Sequence, residues 1–231
     1  MTLAEHLAEL RNRVIVVVVV FLAAGCVGFG IYAHLLHVLQ SPYCHVTRHC
    51  QLYVTGPLDP LALRIKLSAY FAVFVDSPVI LWELWRFVTP GLHANEKRYA
   101  IPFVLSSLVL FVFGAVLAYI IFPHALGWLG SIGGPTLQQI YDPSRYLGLI
   151  LALMAVFGLT FEFPVVLVAL QMAGVVTPAR LSSWRRWAIV LIVAGAAIIT
   201  PSGDPFSMMA LAVPLYVFYE LSILVGKLLR R

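Results

Sequence analysis

Glu162 is the lone charge in a run of 29 residues, Tyr146 to Gly174. An apolar run of that length exceeds the roughly 20 residues that a helix needs to cross a bilayer. A carboxylate at the centre of such a helix costs about 2.5 kcal/mol or more to bury in lipid, so it faces protein or water and is kept for a purpose. Two residues later comes Pro164. A proline inside a helix removes one backbone hydrogen bond and bends the rod. The expectation is a bent, acid-bearing membrane helix, and the rest of the chain must be compatible with it.

The rest of the chain is built the same way. Of its 231 residues, 61% are hydrophobic and 11% charged, against roughly 25% charged in a soluble domain. No soluble core of this size hides so much apolar surface. Six apolar runs stand out, at 14–33, 67–88, 99–122, 146–174, 187–200 and 206–226, after a start at 1–13 in which Leu3, Leu7, Leu10 and Val14 recur at helical spacing. The reading is one all-α, polytopic membrane domain over 1–231 with six transmembrane helices, the fifth and sixth short. The fifth run holds only 14 residues. It covers about 21 Å of a roughly 30 Å hydrocarbon core. Residues 1–30 have the outline of a signal peptide but no clean small-x-small cleavage site, so the first run is read as a retained span.

Lysine and arginine orient the chain. With the N-terminus in the cytoplasm, the inner segments hold Arg11, Arg13, Arg86, Lys97, Arg98, Arg180, Arg185, Arg186, Lys227, Arg230 and Arg231, eleven in all. The outer ones hold Arg48, Arg64, Lys66 and Arg145. Eleven against four puts both ends inside. The net charge of +5 forms no basic face for nucleic acid, because it falls between the apolar runs. The long outer loop expected at 34–63 carries Cys44 and Cys50. Outside the cytoplasm such a pair suggests a disulfide. Free thiols, or a metal site with His45 and His49, are the alternatives, although the spacing does not match the usual zinc patterns.

The acids at the inner face have local explanations. Glu9 is placed to pair with Arg13 at i,i+4. Glu96 follows Asn95 in the first turn of a helix, where a carboxylate suits the dipole. Glu83 and Arg86, at i,i+3, are expected to pair. Asp76 is expected to bond Ser77 or backbone freed by Pro78, and Asp204 to cap the last helix. No nucleotide loop, metalloprotease helix or serine-nucleophile motif is present, so no catalytic residue, metal or cofactor is assigned.

Taken in order, these segments resemble the TatC family, the large membrane subunit of the twin-arginine protein translocase. The resemblance runs through His6-Leu7-Ala8-Glu9-Leu10-Arg11-Asn12-Arg13, Pro78 to Leu92 with Trp85-Arg86-Phe87, and Glu96-Lys97-Arg98. It continues with Phe157-Gly158, Phe161-Glu162-Phe163-Pro164, Thr200-Pro201, Asp204, Pro214 and Tyr219-Glu220, and so covers nearly the whole chain. It implies a concave helical bundle in the bacterial cytoplasmic membrane. That bundle receives twin-arginine signal peptides and works with TatA- and TatB-type single-span proteins, in more than one copy per complex, to export folded proteins on the proton-motive force. It implies a signal-peptide site at Glu9, Arg11, Glu96 and Arg98, since guanidinium binds carboxylate through parallel charge-assisted hydrogen bonds. It also implies a membrane groove at Glu162, Phe87 and Pro164, with Glu162 as a hydrogen-bonding group. Asp204, Met208 and Glu220 are then partner-contact or turn residues. This chain carries Met208 where family members often carry a glutamine that meets a TatA-type helix. It carries Asp76 and Glu83 where their residues are more often uncharged. The rival reading is a proton-coupled small-molecule transporter with Glu162, Asp76 and Glu83 as its relay. The absence of an inverted repeat and the short fifth run speak against it.

Overall fold

The computed structural model describes residues 3–46, 52–54, 56–88, 100–132, 134, 141–200 and 203–229. Among the described residues there is no strand. The helices are α1 (Leu3–Gly30), α2 (Tyr32–Val46), α3 (Asp59–Val88), α4 (Ala100–Ile132), α5 (Pro143–Thr160), α6 (Phe163–Met172), α7 (Pro178–Ser183), α8 (Arg185–Ile199) and α9 (Pro205–Leu229). The five stretches Ala8–Gly30, Asp59–Arg86, Ile101–Ile132, Pro143–Met172 and Pro205–Leu228 are long and apolar enough to cross a membrane. The fifth expected span, α8, has 15 residues and falls short by length. The sixth does not: α9 has 25 residues.

Helix is the outcome even for the β-branched run Val16–Val20, because a segment in hydrocarbon must satisfy its backbone internally. The same rule moves several expected boundaries. The amphipathic start is not a separate element, since α1 runs unbroken from Leu3. The segment 34–63, expected as a single loop, is not one, because α2 occupies Tyr32–Val46 and α3 begins at Asp59. Leu39 and Tyr43 of α2 are buried, which a bare loop would not achieve. The third span does not end at Phe122. α4 carries Pro123 within it and continues to Ile132, held by the buried Ala125 and Leu126. One missing hydrogen bond is too small a loss to end a well-packed helix.

The chain divides into two compact units. The first comprises Met1–Gln40, Leu52–Leu108 and Tyr141–Gly148, and the second Ser41–Gln51, Val109–Ile140 and Leu149–Arg231. In the first, α1 packs along α3. Gly28 makes the approach possible: a Cβ there would lie 2.8 Å from the Phe71 ring and 3.2 Å from the Ser68 Cα. Small residues at helix seams are what lets membrane helices gain dispersion contacts. At the far end of the seam Arg64 donates to the Phe29 carbonyl at 2.8 and 3.0 Å, satisfying a carbonyl at the end of α1.

In the second unit α4 and α5 approach through reciprocal glycines. A Cβ on Gly114 would lie 2.7 Å from the Phe157 carbonyl oxygen, and one on Gly158 2.9 Å from the Phe111 ring. α9 packs against α6, α7 and α8. Gln171 of α6 is buried and donates to the carbonyls of Ser222 (3.0 Å) and Leu167 (3.3 Å). Gly226 leaves room for it, since a Cβ there would lie 1.9 Å from Gln171 Oε1.

Candidate functional site

The acid-rich end of the α1–α3 seam is the first candidate. Glu9 and Arg13 share a helix face because they are one turn apart, and that face meets α3. Arg13 Nη2 donates to Glu9 Oε1, while Arg13 Nη1 donates to Glu83 Oε2 at 2.8 Å. The expected Glu9–Arg13 pair is present. The expected Glu83–Arg86 pair is not. Glu83 turns instead to a residue 70 positions away, and Arg86 is exposed and makes no ion pair among the described residues. Once α1 lies against α3, Glu83 meets a guanidinium that no local spacing could name. The side chains are only 13% (Arg13), 29% (Glu9) and 15% (Glu83) exposed, so these charges interact through a medium less screened than bulk water. Arg11 is exposed. Two residues from Glu9 on a helix, it lies about 200° round the axis, so α1 does not bring the two side chains together. Glu96 and Arg98 lie outside the described residues.

Two turns of α3 further along the seam, Asp76 is fully buried, and neither carboxylate oxygen has a hydrogen-bond partner among the described residues. The expected bond to Ser77 is absent, because the Ser77 hydroxyl donates to the Phe74 carbonyl at 2.8 Å.

The second candidate is the break between α5 and α6. Phe161 and Glu162 form the turn, with Pro164 in the first turn of α6. The proline has no N–H to offer the Thr160 carbonyl, and the helix yields at that point. Glu162 sits at the N-cap position without a side-chain cap bond and is half-buried. The turn is clamped by rings: Phe161 is fully buried, 5.4 Å edge-to-face from Phe218 and 5.8 Å from Phe113. Pro164 is buried, and the Ser222 hydroxyl reaches its carbonyl at 3.3 Å while donating to Phe218 at 2.7 Å. The Phe87 side chain lies outside the described residues.

Beside this turn, in the same unit, lies an apolar cavity of about 580 Å³. Thr160 and Phe163 line it on either side of Glu162, along with Trp184, Trp187, Leu191 and Tyr219. Neither Glu162 nor Pro164 is part of its lining. The sequence did not point to this cavity, because its mostly apolar walls come from five separate helices, α5 to α9.

The third group lies on α8 and α9. Asp204 is buried and accepts from the Ser207 N–H at 2.7 Å, capping α9 as expected. Met208 is half-buried one turn on, its N–H bonded to the Asp204 carbonyl at 3.1 Å. Glu220 takes a two-point grip from Arg185, Nε to Oε1 at 2.7 Å and Nη2 to Oε2 at 2.8 Å. Cys44 in α2 is disulfide-bonded and Cys26 in α1 is free, while Cys50 lies outside the described residues. No cluster of three or more metal-ligating side chains occurs among the described residues.

The family profile described as Sec-independent protein translocase protein (TatC) matches residues 5–214. The chain belongs to the TatC family. It is 43% identical over 238 aligned positions to the Sec-independent protein translocase protein TatC of Frankia casuarinae, covering 98% of this chain and 65% of that protein. The identity to the TatC of Aquifex aeolicus is 38%, covering 100% of this chain and 97% of the relative. This chain thus spans a little under two thirds of the Frankia protein and nearly all of the Aquifex one. A crystal structure described as a twin-arginine translocase receptor, TatC, superposes with a TM-score of 0.79 at 38% identity, covering 98% of this chain and all of that one. A second, in the detergent DDM, gives 0.79 at 37%. The family is a membrane-embedded component of a protein translocase, and the small-molecule transporter reading is set aside. All-helical architecture with several apolar spans is what the fold and the relatives share.

Proposed function

We propose that this protein is the signal-peptide receptor of a twin-arginine translocase. It is a single membrane domain with both termini in the cytoplasm of a bacterial cell, and α8 supplies the sixth crossing of the plasma membrane. Glu9 and Glu96 bind the two arginines of a cargo signal peptide, flanked by Arg11 and Arg98. Glu162, Phe87 and Pro164 belong to the membrane groove that the peptide enters. TatA- and TatB-type single-span proteins assemble with it, at Met208 among other positions, in a complex holding more than one copy. The assembly exports folded proteins on the proton-motive force. Cys44 pairs with Cys50 on the far side.

The observation that carries the reading is that Glu9 already engages a guanidinium. It stands half-exposed on α1 with its carboxylate committed to arginine chemistry, which is the chemistry a twin-arginine ligand requires. The test is binding of a labelled twin-arginine peptide to the protein in native membranes. Glu9→Gln and Glu96→Gln should each weaken binding by about tenfold to a hundredfold, the loss of one charge-assisted pair. Membrane levels of the protein should be unchanged. Undiminished affinity in the double variant, with a peptide whose Lys-Lys version binds poorly, removes these acids from recognition.

A further inference from the structure

We propose that the cavity beside α8 binds one anionic phospholipid, with an acyl chain lying along the helix and the phosphate at Arg180. The proposal stands independently of the receptor reading.

Shape comes first. The α8 residues that line the cavity recur on one helical face, through Trp184, Ala188, Leu191, Gly195 and Ile199. The cavity therefore follows a helix of 15 residues, about 22 Å long. That exceeds the roughly 15 Å of one leaflet of the hydrocarbon core. It is a long slot, and its volume of about 580 Å³ falls within the roughly 300–1,000 Å³ of ligand-binding clefts. At Gly195 a Cβ would meet nothing within 4 Å, so the slot is open at that level.

The hydroxyls in its wall have given up their protons. Thr160 donates to the Val156 carbonyl and Tyr219 to the Leu181 carbonyl, both at 2.6 Å. An occupant meets no side-chain hydroxyl donor there, and hydrocarbon is what such a wall accepts.

Hydrocarbon alone carries no selectivity, because a tail that leaves the bilayer for the slot gains nothing from water. The selection lies at the mouth. Arg180 is exposed, and its guanidinium stands 5.0 Å over the ring of Trp184, which lines the slot. It makes no ion pair among the described residues. Arg185 and Arg186 open α8 at the same corner, and the helix dipole adds to their sign. Between Glu162 and Asp204 the chain has no acid. Glu220 reaches the corner from α9, where Arg185 already neutralises it. Arg180 and Arg186 are left over. The ligand that fits both features is a phosphate joined to an apolar chain. Guanidinium matches phosphate oxygens through its fork, and tryptophan rings such as Trp184 and Trp187 suit the headgroup level.

The experiment places the full chain in phosphatidylcholine nanodiscs that contain a trace of photoreactive lipid. The probe is phosphatidylglycerol, or phosphatidylcholine, with a diazirine on one acyl chain. Light fixes the chain to what it touches, and mass spectrometry maps the position. The phosphatidylglycerol probe should label slot residues about fivefold more than the phosphatidylcholine probe, the weight of one cation near a lipid surface. Arg180→Gln should bring the two probes level, while Arg180→Lys should keep most of the preference. Arg186→Gln, about 200° round α8 from Trp184, should change the preference by less than twofold. Raising salt should shrink it. Gly195→Leu fills the slot without touching the mouth and should lower labelling by both probes. Equal labelling by the two probes in the wild type overturns the proposal, as does a preference that Arg180→Gln leaves intact. An effect of Arg186→Gln equal to that of Arg180→Gln makes the preference a general surface field and overturns the site. So does a photoreactive residue at position 191 that, in native membranes, captures another polypeptide in place of lipid.

Discussion

α1 on α3 and α8 on α9 are both helix pairs joined by an arginine and glutamate, and they are built in opposite senses. In the first the seam is closed and the charge is open. Gly28 brings backbone against side chain, while Arg13 is shared between two acids. In the second the seam is open and the charge is closed. α8 borders a cavity of about 580 Å³, a Cβ on Gly195 would meet nothing within 4 Å, and Arg185 and Glu220 pair one charge to one, with the Tyr216 hydroxyl also donating to Glu220 at 3.2 Å. Packing and ion pairing are thus separate ways to hold a helix, and each leaves the other free for a different use. A seam closed by glycine accommodates an arginine shared between acids on both helices. A pair closed by a two-point bridge tolerates a groove beside it.

The largest effect should come from forcing the closed seam. Gly28→Leu places a branched side chain where even a Cβ meets Phe71 at 2.8 Å, and overpacking of that kind costs about 3 kcal/mol. The thermal midpoint and the membrane level of the protein should both fall. Gly195→Leu points into the cavity and should change stability by less than about 0.5 kcal/mol. Equal losses at the two glycines would end the contrast. A middle-sized effect is expected from Glu220→Lys, which sets two cations together at the one-to-one bridge. The midpoint should drop by less than for Gly28→Leu, and Arg185→Glu added to it should restore most of the drop. No restoration would mean that the bridge does not hold α8 to α9. The smallest effect compares lysine replacements. Arg185→Lys loses one of two parallel bonds and should lower the midpoint slightly. Arg13→Lys gives up a group that bonds each acid through a single nitrogen, and it should lower the midpoint by less still. The reverse order would place the stronger staple at α1.

Much of this molecule follows from local chemistry. The break at Phe161–Glu162 was expected from Pro164, which lacks the N–H that a continuous helix requires. The cap at Asp204 was expected from a short acidic side chain before an apolar run. The short α8 could be counted between Arg186 and Pro201. α2 lies where a loop is expected, although Leu35, Leu39 and Tyr43 recur at helical spacing; Pro42 stands within it. At the candidate site the sequence supplied Glu9 and its neighbour Arg13. Glu83 was assigned to Arg86, since i,i+3 spacing is the only pairing signal that a single helix offers.

What the sequence determined by itself is the membrane class, the break before Pro164, and the Glu9–Arg13 pairing within one helical turn. Hydrocarbon length, backbone satisfaction and helical periodicity act over tens of residues at most, and they are written in consecutive positions. What only the tertiary structure decided is which distant residues meet: Arg13 with Glu83 across 70 positions, Arg185 with Glu220 across 35, and a cavity walled by segments from Leu159 to Tyr219. Charge and packing energies depend on distances of a few ångströms, and those distances exist only after glycine at one seam and a break at another have set how closely the helices lie.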